Sequence, residues 1–125
     1  MLTGRRDSRG TDPFRPDGYG EWTEHGVTVP FFLEYDNNTE PVGTLIDKLD
    51  GYTELARHLG RLWLMLFWLH SPARERNLQR ILTDQPPIVP VATGHRAGSW
   101  SPVGEVWAIA QAGWYRYRLA ELPAS

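Results

Sequence analysis

Residues 16–40 read PDGYGEWTEHGVTVPFFLEYDNNTE, and the fold is decided there. Residues 17–23 and 27–36 are apolar enough, and alternate well enough, to form two strands. Between them His25-Gly26 fits a two-residue hairpin loop in which Gly26 supplies a positive φ. Glu24 then pairs with Val27, and the same register sets Asp17 directly opposite Glu34. Asp36, two residues beyond Glu34, shares its face, and Asn37-Asn38 ends the strand.

Three carboxylates at one end of a hairpin need an explanation. Like charges opposite each other destabilise a sheet, the more so beside apolar neighbours such as Phe32 and Tyr19. A hard divalent cation on carboxylate oxygens compensates them, and Mg²⁺ characteristically takes one or two carboxylates, leaving its other positions to water and phosphate. Such an ion polarises a phosphodiester and activates water. The same residues also read as a turn cap at Asp17 and two solvated acids where a strand leaves the core.

The pattern then changes period. Val42, Leu45, Ile46, Leu49, Tyr52, Leu55, Ala56 and Leu59 recur at helical spacing, with Thr39 or Glu40 as cap, Pro41 in the first turn and Gly60 at the end. Lys48, the only lysine against twelve arginines, lies at the edge of this apolar stripe, so its ammonium can reach the acids or simply snorkel to solvent. LWLMLFWL at 62–69 reads as a strand buried on both faces, being too short to span a bilayer. A second helix follows over 72–84, then a strand at 86–93, a Gly- and Pro-rich connection GHRAGSWSPVG, and closing segments EVWAIA and WYRYRL. The expected architecture is α/β: a mixed sheet built from an antiparallel hairpin, a helix, a parallel strand, a helix and further strands. Residues 1–16 read as a flexible arm and 17–122 as one domain.

With 125 residues, 41% of them hydrophobic, the chain suits a single core. A net charge of -2 excludes nucleic-acid binding by bulk positive charge, and the lack of cysteine excludes disulfides and thiolate metal sites. The N-terminus has no apolar run of a secretory signal, so a cytoplasmic protein is expected. His25, His58, His70 and His95 have no metal-ligand spacing and read as turn or surface residues. Arg74, Arg76 and Arg80, with Arg57 and Arg61, offer a phosphate-contacting surface, although Glu75 among them suits a solvated outer face.

PDG, the hairpin, FFLEYDNNTE and the helix containing KLDGY resemble the core of the actinobacterial replication-relaxation family, more loosely through to VWAIAQAGWYRYRLAEL, over residues 16–122. That resemblance implies a role in plasmid or mobile-element replication or transfer, a DNA partner, and a winged-helix segment ahead of a domain similar to the PD-(D/E)xK nuclease fold. On that pattern Asp17 and Glu34 match the two acids, and Asp17, Glu34 and Asp36 would hold Mg²⁺. Asp36 occupies the usual lysine position, so the resemblance implies a domain that keeps the nuclease-like fold without turnover; the alternative is that Lys48 matches a lysine moved to the next helix, making Asp17, Glu34 and Lys48 the catalytic set of a Mg²⁺-dependent endonuclease. About sixteen residues precede the motif, so the winged helix is expected to lie outside this chain.

Overall fold

The computed structural model describes residues 18–60, 63–96, 100–110 and 115–122. Six strands form one mixed sheet in sequential order, from β1 (Gly18–Glu24) through β2 (Val27–Tyr35), β3 (Leu64–Leu69), β4 (Val91–His95) and β5 (Trp107–Ile109) to β6 (Arg116–Tyr117). β1 and β2 are antiparallel, β2, β3 and β4 run parallel, and β5 and β6 close the sheet antiparallel. The mixed α/β architecture is therefore the expected one.

The hairpin has the expected register, with Glu24 opposite Val27 and Gly18 opposite Leu33. His25 joins Gly26 at positive φ, 51° and 81°, the conformation that matches the twist of a two-residue hairpin. Asp17 lies outside the described residues, so its pairing with Glu34 does too.

Both helices, α1 (Val42–Leu59) and α2 (Pro72–Asp84), cover the same face of the sheet. α1 buries Leu45, Leu49, Tyr52 and Ala56, the stripe its periodicity predicts, against Phe32, Met65 and Phe67. Full burial of each large side chain in this layer contributes about 1.5–3 kcal/mol. Gly60 ends the helix in the left-handed conformation, returning its N–H to the carbonyls of Ala56 and Arg57. At the other end Pro41 is the cap, without a side-chain bond, rather than Thr39 or Glu40.

β3 is buried along its whole length, as its apolar run predicts, with Met65, Phe67 and Leu69 toward the helices and Leu64, Leu66 and Trp68 toward the other face. That second layer holds Val29, Val106, Trp107, Leu119 and Leu122. Trp63, part of the apolar run read as a strand over 62–69, instead precedes β3, half-buried and stacked on Tyr19 at 5.0 Å.

β4 differs from expectation in position. Pro86, Pro87 and Pro90 lack the N–H a central strand must donate, so pairing begins only at Val91 and runs on through Gly94 and His95. Gly94 is required there, since a Cβ would lie 2.8 Å from Cζ3 of Trp68.

Candidate functional site

The helix-covered ends of the parallel strands gather the charged residues. The register lines up Glu34, Phe67, Thr93, Ala108 and Arg116 as one row across β2 to β6. One step further along the strands, Leu69 is level with His95, and the Asp36 N–H bonds to the Trp68 carbonyl at 2.9 Å. Charged side chains on this face must either meet partners or remain unfavourably desolvated.

Glu34 is 1% exposed and meets Lys48. The ammonium, carried by the second turn of α1, lies 2.5 Å from Glu34 Oε2 and 3.2 Å from Glu40 Oε1. Partial burial acts to lower the lysine pKa, but the two carboxylates outweigh it and hold Lys48 above its ordinary value. The structure thus brings together two of the residues singled out in sequence.

Asp36 points to the same layer but has a different partner. Arg74 closes on it in a bidentate pair, Nε to Oδ2 at 2.5 Å and Nη2 to Oδ1 at 2.8 Å, while Nη2 also donates to the Glu40 carbonyl. The N–H groups of Asn38 and His70 complete the shell of the carboxylate. Burial acts to raise its pKa, yet these donors prevail and hold it below the usual range. Both oxygens are therefore committed to protein donors.

Next to Arg74 in sequence, Glu75 reaches the other way. Its carboxylate, 1% exposed, accepts from Arg116 Nη1 and Nη2 at 2.8 and 2.9 Å, from Thr93 Oγ1 at 2.5 Å and from His95 Nδ1 at 2.5 Å. Gln79 donates to Thr93 Oγ1 and the Ala108 carbonyl. Burial pushes the Glu75 pKa up, but the Arg116, Thr93 and His95 bonds pull it below the ordinary value. The first turn of α2 is in this way fastened to β2 on one side and to β4 and β6 on the other.

This second cluster corrects two sequence readings. Glu75 is not on a solvated outer face, and His95 is neither turn nor surface but a strand residue 6% exposed. A signal was present: the buried face of α2 runs Glu75, Leu78, Gln79, Leu82, which places two polar residues on the apolar stripe. Arg76 and Arg80 are exposed, as expected, while Arg61 lies outside the described residues.

Among the described residues no three His, Asp or Glu side chains are grouped to hold a metal ion. With Asp36 engaged by Arg74, these residues do not by themselves fit a Mg²⁺ site.

The family model described as replication-relaxation matches residues 3–64, a little under half of the chain. This match supports that family for the segment running through the hairpin and α1 to the first residue of β3. It also takes in the residues ahead of the hairpin, set apart above as an arm. No curated protein and no solved structure matches the chain. No helix of the described residues is long and apolar enough to cross a membrane.

Proposed function

We propose that this chain is a DNA-associated domain of plasmid or mobile-element replication or transfer, with a nuclease-like α/β fold that binds without cleaving. The similarity to the replication-relaxation family supports the setting. The observation that carries the loss of turnover is the Asp36–Arg74 pair. In an acid-x-Lys nuclease pattern the position of Asp36 belongs to the reacting group, whereas here it fastens β2 to α2. Lys48 is likewise committed to Glu34 and Glu40, so the lysine serves to neutralise a buried carboxylate. The exposed Arg76 and Arg80, one turn apart on α2, suit contacts to backbone phosphates. A cytoplasmic location, an actinobacterial source and a winged-helix partner segment belong to the same proposal.

A second reading rests on the Glu34–Lys48 contact itself: an active Mg²⁺-dependent endonuclease in which Asp17 joins Glu34 at the ion. Incubating supercoiled plasmid with the protein and Mg²⁺ or Mn²⁺ separates the two readings. Binding without nicking supports the first. Nicking that is lost in Glu34→Gln and in Lys48→Ala supports the second.

A further inference from the structure

A cavity of about 330 Å³ opens where α2 begins, lined by Pro72, Glu75, Arg76, His95 and Arg116. Glu75 cannot repel an anion there in the usual way, because both its oxygens are neutralised by the Arg116 guanidinium and hydrogen-bonded to Thr93 and His95. A carboxylate only accepts, so its bond to His95 places the ring proton on Nδ1. Nε2 is then the nitrogen left for the cavity, and it has no partner among the described residues although the residue is more than nine-tenths buried. Trp100 stacks on the His95 ring at 4.4 Å and lies 5.1 Å from the Arg116 guanidinium, fixing both. Arg76 has no ion-pair partner among the described residues, and Pro72 is the first residue of α2, whose dipole is positive at that end.

We propose that this cavity is an oxyanion site for a phosphate group, held by His95 Nε2 and Arg76 at the start of α2, while Arg116 stays engaged with Glu75 and with the Thr93 and Val106 carbonyls. It rests on the cavity at His95 and shares Arg76 with the DNA reading above. With Nδ1 donating to Glu75, Nε2 is the ring atom that meets the oxyanion, as a donor when the ring carries both protons. The charged groups facing the ring are Glu75 and Arg76 from α2 and Arg116 from β6. At its own strand end Arg96 turns to His70, 3.1 Å away.

Sulfate is the first probe, titrated into protein carrying isotope-labelled histidine and followed by NMR, with His95→Gln used only to assign the signal. The expected result is movement of the His95 ring signals and, read from the same signals, a loss of affinity of about tenfold or more in Arg76→Ala. Arg76 is exposed, so its variant keeps the fold. Two oligothymidylates, one with a 5′-phosphate and one with diesters only, then name the source: movement by the first alone assigns a phosphomonoester, by both the nucleic-acid backbone. The proposal is overturned by His95 signals that ignore sulfate, by unchanged affinity in Arg76→Ala, or by sulfate binding with no response to either oligonucleotide.

Discussion

The guanidinium of Arg74 grips the carboxylate of Asp36 through two nitrogens, at 2.5 and 2.8 Å, with 14% and 2% of the respective side chains exposed. Such planar, two-point pairing fixes geometry as well as charge. It joins the end of β2 to the first turn of α2 across the end of β3. Asp36, an acid at the end of an apolar strand, thereby has a structural partner.

Removing one member of this pair leaves a buried charge uncompensated. Asp36→Ala or Arg74→Ala is expected to cost about 3–5 kcal/mol, and the double substitution less than the sum. Urea denaturation of the four proteins measures the coupling. Strict additivity would mean the pair is not formed in solution.

Acid should unfold the protein through the same groups. Asp36 and Glu75 have folded pKa values below their ordinary ones, so their stabilisation is complete above the unfolded values, near pH 4, and is lost as pH falls through the lower folded values. Thermal midpoints between about pH 6 and pH 2 should drop steeply below about pH 4. Asp36→Asn and Glu75→Gln should each flatten that drop while lowering the midpoint at neutral pH.

Lys48 behaves in the opposite sense. Its folded pKa is raised, so its contribution is fully present below the unfolded value of about 10.4 and disappears as pH rises through the higher folded one. Wild-type stability should therefore decline in that alkaline range more steeply than that of Lys48→Met. Urea midpoints across it check the difference.

Gly94→Ala introduces a Cβ 2.8 Å from Trp68, a ring already packed at 5.4 Å on Trp107. A loss of about 1–3 kcal/mol is expected. Gly43→Ala, with nothing within 4 Å in α1, should be neutral or stabilising by up to about 1 kcal/mol. Thermal denaturation of the two side by side tests the packing.

Much of the fold was legible because local chemistry and global pattern agree. The His25-Gly26 loop sets the β1–β2 register, the stripe from Leu45 to Ala56 sets the buried side of α1, and the unbroken apolar run sets β3 as a central strand. Lys48 at the stripe's edge left two readings open, an approach to the acids or a side chain in solvent, and the structure shows it at Glu34. The Glu75 cluster was hinted at only by Glu75 and Gln79 on the apolar stripe of α2, because its members are far apart in sequence and look like surface residues by type. Only the sheet register brings Thr93, His95 and Arg116 to one place, and the proline-delayed start of β4 moved His95 from a connection into the core.

The most direct measurement is a gel of supercoiled plasmid incubated with the wild-type protein and Mg²⁺, reading retardation and topology in the same lane. Binding without cleavage predicts plasmid that is retarded by the protein and, after its removal, runs fully supercoiled. Nicked or linear product that disappears with Glu34→Gln, or plasmid never retarded at any protein concentration, would contradict it.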